Sequence, residues 1–394
     1  MGFIRELWDL RPLYGKNKLH LKFLKDYLEP IHIKDIKIAI NTKRVSFSYS
    51  RLGISKRIGE DSGFPTLNIK KPEERVELFV EESNKVIEEK ILESKFKKFS
   101  KIAQTIIPKY IAPKIYGLDK VKEAISIVLF AKLQPFHILL LGDPGTGKTG
   151  FLQSADKIYP KSSFGLGSGT SGAGLSVTMS GKKVEKGLLP LADEGICCID
   201  ELNLMKKEDY ASLYSAMEKG FVSYDKGGKH EKFDARVRLL ATANPDGGKF
   251  RGDNLNSIKR QLPFEPALLS RFTLTFLVRK PSKDEFVKIA ADIVKKDKSK
   301  DQESDLNFIK EYIRFTENII VTFPKSFQKI VSDFAAKLKD NEDKLFFDIS
   351  PRIIHGLMNL SKAFARMNLR DTVIEKDIQK AKEIILNSLK NQLD

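Results

Sequence analysis

Phe136-His137-Ile138-Leu139-Leu140-Leu141 runs directly into Gly142-Asp143-Pro144-Gly145-Thr146-Gly147-Lys148-Thr149. The second segment fits the pattern G-x-x-x-x-G-K-[ST], placed after an apolar strand and before a helix. Its glycines reach dihedral angles that other residues avoid, and they bring backbone N–H groups close to phosphate oxygens. The pattern predicts that these eight residues cradle a nucleoside triphosphate, with Lys148 on the outer phosphates and the Thr149 hydroxyl on Mg²⁺. An ordinary glycine turn between strand and helix is the alternative.

The chain is strongly basic. Its 394 residues include 69 Lys and Arg against 52 Asp and Glu, which gives a formal net charge of +17. An excess of this size favours a polyanionic partner, most often nucleic acid, and a solvated basic surface is the alternative. The length predicts two or three domains with a sizeable core.

Cysteine usage and apolar segments indicate a soluble protein of the cytoplasm. Cys197 and Cys198 are the two cysteines, and they are adjacent. Neighbours in a strand point to opposite faces, so we expect small buried side chains and not a disulfide or a shared metal site. No signal peptide is recognised at the N-terminus, and no apolar run is long enough to span a bilayer. We therefore expect no membrane partner.

The first 100 residues read as a small α+β module with a helical connector. Short alternating runs predict strands over Ile36–Ile40 and Arg44–Tyr49, and residues 73–101 carry apolar positions at helical spacing. No chemistry is legible in this module.

Residues 101–280 predict an α/β domain, and residues 281–394 predict a helical lid domain. Continuous apolar strands separated by helices indicate a parallel sheet covered on both faces. The predicted strands are Ile138–Leu141, Gly195–Ile199, Leu239–Ala243 and Leu274–Val278. The predicted lid helices are Asp284–Val294, Phe308–Thr316, Pro324–Leu338, Pro351–Arg366 and Glu375–Leu389.

A second motif, which is acidic, indicates the reaction that would take place at the phosphate loop. The apolar strand Ile196-Cys197-Cys198-Ile199 ends in Asp200 and Glu201. Asp200 would hold Mg²⁺ through its water shell, and Glu201 would polarise the water that attacks the γ-phosphate. Paired carboxylates favour hydrolysis of the γ-phosphate over its transfer to another substrate. The alternative is a strand that ends in acidic residues by chance.

Three more polar residues follow in an order that fits the same site. Asn244, at the end of the strand that reaches Ala243, is placed to hydrogen-bond the attacking water or the γ-phosphate, although Asn-Pro is also an ordinary turn signal. Arg271 precedes the last strand, and Arg352 begins a lid helix. A guanidinium against the γ-phosphate would neutralise charge in the transition state.

Taken in order, these motifs resemble one family, the AAA+ motor of the minichromosome maintenance (MCM) replicative helicases. The resemblance covers about residues 101–390. Besides the phosphate loop, the matching segments are Ile115-Tyr116-Gly117-Leu118-Asp119, Gly169-Thr170-Ser171-Gly172-Ala173-Gly174-Leu175-Ser176, Cys197–Glu201, Ala243-Asn244-Pro245, Leu269-Ser270-Arg271-Phe272, Pro351-Arg352 and Ala363-Phe364-Ala365-Arg366-Met367.

The resemblance implies a ring, usually a hexamer, with ATP and Mg²⁺ held between neighbouring subunits. Lys148, Thr149, Asp200, Glu201 and Asn244 would act from one subunit. Arg271 and Arg352 would reach the nucleotide of the neighbour as arginine finger and sensor 2. The implied oligomer is of identical chains, and other replication proteins are further candidate partners.

The family also places two hairpins in a central channel. By resemblance the first corresponds to the glycine-rich run from about Gly165 to Lys183, and the second to Phe221–His230. The second also reads as a strand, a Gly-Gly turn and a return strand over Lys232–Val237. Lys226 matches the family's channel lysine, and Lys229 lies on the same hairpin, so both are expected to contact single-stranded DNA without reading its sequence.

The chain departs from the family in several places. The first 100 residues contain no cysteine for the family's usual zinc site, and they are short for its DNA-gripping collar. Asn359 stands where the family tends to have a second arginine, and Asp225 adds a negative charge beside Lys226. The chain also ends before a winged-helix domain could follow the lid.

Three functional hypotheses follow. The first is an ATP-driven DNA helicase or translocase. The second is an accessory subunit that joins or regulates a larger MCM ring without unwinding DNA. The third is a protein-remodelling AAA+ machine related to magnesium chelatase, which shares the hairpin before the strand that ends at Ala243.

Overall fold

The computed structural model describes residues 36–41, 44–49, 54–56 and 91–389, apart from 133–135, 181–182, 227–228, 253–254, 296–301 and 343–348. The chain forms two compact units, Met1–Lys97 and Lys98–Asp394. None of the helices in the described ranges is both long and apolar enough to cross a membrane.

The first unit contains a three-stranded antiparallel sheet. Its strands are β1 (Ile36–Asn41), β2 (Arg44–Tyr49) and β3 (Ile54–Lys56), in the order β1-β2-β3. The two predicted strands are therefore confirmed, and β3 was missed because three residues are too short to show an alternating pattern. Residues 91–106 are mostly helical, and the rest of the predicted connector, 73–90, lies outside the described residues.

The second unit is built on a five-stranded parallel sheet, which confirms the predicted α/β class. The strand order is β12-β4-β11-β8-β5, and each neighbouring pair is parallel. Its members are β4 (Ile138–Gly142), β5 (Ser162–Leu166), β8 (Ile196–Asp200), β11 (Arg238–Ala243) and β12 (Leu274–Val278). Four of them are buried along their whole length, as continuous apolar runs require.

Edge strand β5 was missed by the sequence prediction. Its sequence, Ser-Ser-Phe-Gly-Leu, is neither a continuous apolar run nor a clear alternation. It is held by pairing with β8, for example Phe164 with Cys198, a tertiary contact that local composition does not encode.

Helices cover the sheet and form the C-terminal lid. In chain order after 91–106 (α1), they are α2 (Asp119–Val128), α3 (Lys148–Ile158), α4 (Gly172–Leu175), α5 (Leu188–Leu191), α6 (Tyr210–Lys219), α7 (Leu255–Lys259), α8 (Pro266–Leu269), α9 (Lys283–Lys295), α10 (Gln302–Glu317), α11 (Gln328–Asp340), α12 (Pro351–Met367) and α13 (Glu375–Leu389). The five lid helices confirm the predicted ones, but two begin elsewhere. Helix α11 begins after the 3-10 turn Lys325–Phe327 because Pro324 is extended, and α10 begins at Gln302, six residues before the predicted Phe308.

Two antiparallel hairpins stand apart from the main sheet. The first pairs β6 (Val177–Ser180) with β7 (Lys183–Lys186). The predicted span, about Gly165–Lys183, was therefore wrong at its start, because Gly165 belongs to β5 and residues 172–175 form the short helix α4. The resemblance located the insert but not the strand pairing within it.

The second hairpin pairs β9 (Phe221–Lys226) with β10 (Lys229–Asp234). The expected Gly227-Gly228 turn falls outside the described residues. The return strand begins at Lys229, three residues earlier than predicted, since Lys229 pairs directly with Lys226. Cys197 and Cys198 are free and buried in β8, as expected for small core side chains.

Candidate nucleotide-binding site

The glycine loop follows the carboxyl end of β4, and its conformation requires its glycines. Gly145 has φ +78° and Gly147 has φ +83°, both in the left-handed region that favours glycine. A Cβ on Gly142 would lie 1.9 Å from the Val278 carbonyl oxygen, so only glycine lets β4 run this close to β12. The loop leads directly into α3, which begins at Lys148. Backbone N–H groups at such a helix start suit an anion.

Lys148 is folded against its own loop. Its Nζ donates hydrogen bonds of 2.7 Å to the carbonyl oxygens of both Gly142 and Asp143. Burial lowers the pKa of Lys148 to about 8, although the nearby carboxylates of Asp143, Asp200 and Glu201 oppose that shift. The ammonium therefore sits where phosphate oxygens could replace the two carbonyls as its acceptors.

Thr149 and Asp200 meet, although 51 positions separate them in the chain. The Thr149 hydroxyl donates to Asp200 Oδ2 at 2.8 Å. The Asp200 side chain is 5% exposed, so its carboxylate is fixed by these partners and not by bulk water. Hydroxyl and carboxylate oxygens are hard ligands that suit Mg²⁺, which commonly takes one or two protein groups beside phosphates and waters. The donor set present here fits that ion.

Thr242, which sequence reasoning missed, joins the two predicted carboxylate residues. Its hydroxyl donates to Asp200 Oδ1 and accepts the backbone N–H of Glu201 at 2.9 Å. Glu201 has φ 52° and ψ 48°, a left-handed conformation that is uncommon outside glycine. Such outliers persist where surrounding bonds hold them, and they cluster at functional sites. The only signal for Thr242 in the sequence was its position two residues before Asn244.

Asn244 begins the segment after β11, close to the same strand ends. Its backbone N–H donates to the side-chain oxygen of Asn203 at 3.0 Å. Asn203 lies in the turn after Glu201, so this bond ties the carboxyl ends of β8 and β11 together. Asp143 is tied in similarly, because its Oδ1 accepts the N–H of Phe250 at 2.9 Å.

A groove of about 280 Å³ has Gly150, at the start of α3 beside the glycine loop, in its lining. Its walls include Tyr110, Ile115 and Leu306. Ile115 also packs on the loop, since its Cδ1 lies 2.6 Å from where a Cβ on Gly147 would stand. Apolar walls of this kind can receive a flat base next to the phosphates. Only the resemblance pointed to the segment that contains Ile115, and the packing of this side chain on the loop could not be inferred from its residue type.

Arg271 and Arg352 share one acidic partner. Arg271 Nη2 lies 2.8 Å from Glu218 Oε2, and Arg352 Nη2 lies 3.8 Å from Glu218 Oε1. The Arg271 guanidinium also stacks over the Tyr214 ring at 4.5 Å, and Arg352 Nη1 donates to the Ser270 carbonyl oxygen at 3.2 Å. We call these three charged residues the arginine cluster. Sequence reasoning found both arginines but not Glu218.

The arginine cluster lies at the amino edge of the sheet, opposite the glycine loop. The Thr273 N–H, just after Arg271, donates to the His137 carbonyl oxygen at 2.8 Å, and these residues precede β12 and β4. The loop instead follows the carboxyl end of β4, about 16 Å away for a strand of this length. The predicted site residues therefore form two groups, and the fold does not bring the arginines to the loop of their own chain.

His137 fixes the amino edge. Its Nδ1 accepts the N–H of Leu239, at 3.1 Å, and its Nε2 lies 3.2 Å from the carbonyl oxygen of Met217, next to Glu218. Burial lowers its pKa to about 4, so the ring is neutral at physiological pH. A neutral ring can accept at Nδ1 while it donates at Nε2. His137 thus connects α6, which carries Glu218, to β4 and β11.

Lys226 and Lys229 are paired across the second hairpin, on either side of the undescribed turn. The structure describes their backbone and not their side chains. Their expected contact with DNA stays a prediction.

A glycine loop after a central parallel strand, two carboxylate residues on the neighbouring strand end and a C-terminal set of helices define the class of P-loop nucleotide-binding domains with a helical lid. Residues 89–297 match the MCM P-loop domain, and residues 307–389 match the MCM AAA-lid domain. The chain belongs to the MCM family of AAA+ proteins, as its motifs predicted.

Relatives come from archaea and eukaryotes. The minichromosome maintenance protein MCM of Saccharolobus solfataricus is 31% identical over 335 residues, which cover 78% of this chain and 48% of that protein. DNA replication licensing factor mcm7-B of Xenopus laevis is 31% identical over 69% of this chain and 41% of its own length. Factor mcm6 of Dictyostelium discoideum is 32% identical over 74% and 36%. The chain thus spans less than half the length of these relatives.

Proposed function

We propose that this chain is an ATP-hydrolysing motor of the MCM type that assembles into a ring and moves along single-stranded DNA. The observation that carries the proposal is the division of the site residues between the two edges of one sheet. The Thr149–Asp200 contact forms a hydrolytic half-site at the carboxyl edge. Arg271 and Arg352 are held together at the amino edge, where no phosphate loop of their own chain lies.

The carboxyl-edge residues have distinct roles in this proposal. The glycine loop and Lys148 bind the phosphates of ATP, and Thr149 and Asp200 hold Mg²⁺. The bound ion neutralises charge on the phosphate oxygens. Glu201 orients the attacking water and takes up its proton, while Asn244 hydrogen-bonds the water or the γ-phosphate. Thr242 positions both carboxylate residues without contacting the nucleotide.

The arginine cluster acts on the nucleotide of a neighbouring subunit. In a head-to-tail ring the amino edge of one copy faces the loop of the next, so every site takes residues from two chains. Both guanidiniums then exchange Glu218 for phosphate oxygens. Arginine suits this role because it stays charged and presents a rigid fork of donors. We infer copies of this chain in a ring, usually of six in the family, as the simplest assembly.

DNA would pass the two hairpins. The formal charge of +17 supports a polyanionic partner, and Lys226 and Lys229 are the residues proposed to contact phosphate. Contacts with the backbone position a strand without reading its bases. The relatives named as replication factors support a role in DNA replication.

Asn359 supports a second candidate function, an accessory subunit of a mixed MCM ring. Its side chain is 7% exposed within α12, so it is not available to a nucleotide on a neighbouring chain. The position at which the family tends to have a second arginine is therefore buried in this chain. A subunit with one fewer arginine could complete a ring with a lower ATPase rate of its own.

Mixing two inactive variants tests whether sites form between chains. Lys148→Ala removes the loop lysine, and Arg271→Ala removes the proposed arginine finger. If each site uses two chains, equal amounts of the variants form about one competent interface in four, and ATPase activity returns. If each site lies within one chain, the mixture stays as inactive as either variant, and the proposal fails.

Assays with added DNA distinguish the motor from the accessory subunit. A motor hydrolyses ATP faster when single-stranded DNA is added, and it displaces a strand from forked DNA. Lys226→Ala combined with Lys229→Ala should weaken that stimulation and flatten its dependence on salt, since phosphate contacts release counterions. Hydrolysis that ignores DNA in the purified chain, and responds to it only with other MCM subunits, would favour the accessory function.

A further inference from the structure

A cavity of about 500 Å³ lies at the amino edge of the main sheet, away from the glycine loop. Its walls come from the residues after α2, the start of β11, the end of α10 and the end of α12. Five cationic side chains line it, and they are Lys132, Lys161, Arg238, Arg314 and Arg366. Glu194 and Glu317 are its two acidic lining residues. We call it the arginine cavity.

Two of these cations are buried without a carboxylate partner. Arg238 is 4% exposed and Arg366 is 6% exposed. Arg238 donates to backbone carbonyl oxygens, among them Val128 at 3.1 Å and Gly195 at 3.3 Å. Arg366 donates from Nη1 to the Phe130 carbonyl oxygen and from Nε to the Ile319 carbonyl oxygen at 3.1 Å. The Arg238 guanidinium also lies over the Tyr159 ring, 4.4 Å from its centroid. Both arginines are thus held by neutral groups and not by a counter-ion among the described residues.

The two acidic side chains of the wall bond groups other than the buried arginines. Glu317 Oε1 accepts the Tyr159 hydroxyl at 2.9 Å, and Glu194 Oε1 lies 3.1 Å from Arg236 Nη2. Burial and the neighbouring positive charge of Arg238 together lower the pKa of Arg366 to about 10, although Tyr159 opposes that shift. A buried charge without a counter-ion is costly, and two of the same sign add to that cost. An anion in the cavity would reduce both the cost of burying these charges and the repulsion between the two arginines.

We propose that the arginine cavity binds a small oxyanion of the phosphate class, such as inorganic phosphate or pyrophosphate. Arg366 is the central ligand, because its Nη2 has no acceptor among the described residues. The exposed lysines of the rim, Lys132 and Lys161, draw the anion in together with Arg314, which also pairs with Glu311 at 2.8 Å. The volume suits a small ligand. Phe130 and Tyr159 are 2% and 5% exposed, so neither offers an open ring on which a base could stack.

The position of the cavity gives the bound anion a structural consequence. Phe130 follows α2 of the nucleotide-binding part, whereas Ile319 follows α10 and Arg366 ends α12, both in the lid. Arg366 already connects the two through its hydrogen bonds. An oxyanion on Arg366 and Arg238 would therefore tie the lid to the core and raise the melting temperature.

Titration of pyrophosphate into the Lys148→Ala chain tests the proposal, because this variant weakens the glycine loop as a competing site. We expect one bound pyrophosphate per chain and a rise in Tm that grows with its concentration. Parallel titrations with inorganic phosphate and with ATP identify the source of the oxyanion, and the tightest of the three is the ligand class. No binding of any of them at millimolar concentration would overturn the proposal.

Matched variants assign the binding to the cavity. In the same background, Lys161→Gln with Arg314→Gln should weaken binding about fivefold or more, since two partly screened charges are lost. Lys325→Gln with Lys329→Gln, on exposed positions outside the cavity, changes the net charge equally and should leave binding unchanged. Arg366→Lys keeps the charge but not the fork and should weaken binding about tenfold. Equal affinity of the rim and control pairs would contradict the proposal even if Arg366→Lys fails to fold.

Discussion

Both edges of the central sheet carry polar residues, but the residues and their arrangements differ. At the carboxyl edge, Asp200 of β8 accepts hydrogen bonds from Thr149 of α3 and Thr242 of β11, so these three residues are brought together within one chain. At the amino edge, two arginines gather on Glu218 and face no phosphate site of their own. In the proposed function the carboxyl edge binds ATP and the amino edge is presented to a neighbour. Under that proposal a second copy or a related subunit completes the chemistry.

Removing one arginine should separate binding from hydrolysis, and this is the largest expected effect. Arg271→Ala leaves the carboxyl edge intact, so ATP affinity of the isolated chain should stay within about twofold of the parent. The ATPase rate of the assembly should fall about 1,000-fold, because an arginine finger stabilises the transition state. Fluorescent-nucleotide binding and steady-state hydrolysis measure the two quantities.

Arg236→Ala is the matched control for that prediction. Arg236 lies at the same edge and is bound to Asp193 at 2.7 Å, but it belongs to no cluster with Arg352. Its loss should leave hydrolysis near the parent rate. If Arg271→Ala abolished ATP binding by the isolated chain, the two edges would not be separate half-sites.

Thr242 offers a way to disturb the carboxyl edge without touching a charged residue. Thr242→Val removes the hydroxyl that bonds Asp200 and leaves the Glu201 N–H without its acceptor, which costs about 1–3 kcal/mol. The hydrolysis rate should fall about 30-fold, whereas Thr242→Ser should keep most of the activity because it retains the hydroxyl. Steady-state ATPase assays beside melting curves distinguish this from unfolding. Equal rates for the Val and Ser variants would show that the hydroxyl is not needed.

Local patterns predicted the residues of the carboxyl edge, whereas at the amino edge the sequence indicated the two arginines but not their shared partner. Glycine spacing and acidic residues at a strand end are local patterns, so they singled out Lys148, Thr149, Asp200 and Glu201, whose roles stay predictions. Glu218 carries no such pattern, because it is one charged residue among many on an amphipathic helix. Its partners lie 53 positions away or more, and only the fold brings them together.

The same distinction explains the errors in the fold. Strands with continuous apolar runs, such as β4 and β12, were predicted to within a residue. Strand β5 consists of small and polar residues whose place depends on β8, so it was missed. Residue type alone also failed for Arg238 and Arg366. Their near-complete burial could not be inferred from a residue that usually lies at the surface.

The pKa of Lys148 gives the carboxyl edge a dependence on pH. ATP binding requires the charged ammonium, and in the free chain the pKa of Lys148 is about 8. Affinity should therefore be nearly constant below about pH 7, about half as high at pH 8 and about tenfold lower at pH 9, since each further unit above the pKa costs a factor of ten. Lys148→Arg should show no such loss, because a guanidinium stays charged. A flat profile in the parent chain would contradict the lowered pKa.

Raising the pH has opposite effects on the stability contributed by Lys148 and on ATP binding. The ordinary lysine pKa of 10.5 applies to the unfolded chain, and the folded value is lower. Between about pH 8 and 10.5 the unfolded chain binds more protons, so Lys148 contributes rising stability with pH over this window. Below pH 8 its buried charge destabilises the fold.

The smallest expected effect concerns the arginine cluster itself. Double-mutant cycles pair Glu218→Gln with Arg271→Ala and with Arg352→Ala, and urea unfolding gives each coupling free energy. Arg271 lies 2.8 Å from the Glu218 carboxylate and its side chain is 19% exposed, whereas Arg352 lies at 3.8 Å and is 44% exposed. We expect a coupling of about 1 kcal/mol for Arg271 and about 0.3 kcal/mol or less for Arg352, since exposed pairs are weak. The proposed function requires a weak hold, because Glu218 would have to release both arginines to the phosphates of a neighbour. A coupling of several kcal/mol would instead mean that Glu218 locks the arginines in place, and the amino edge would then be a structural feature of the fold.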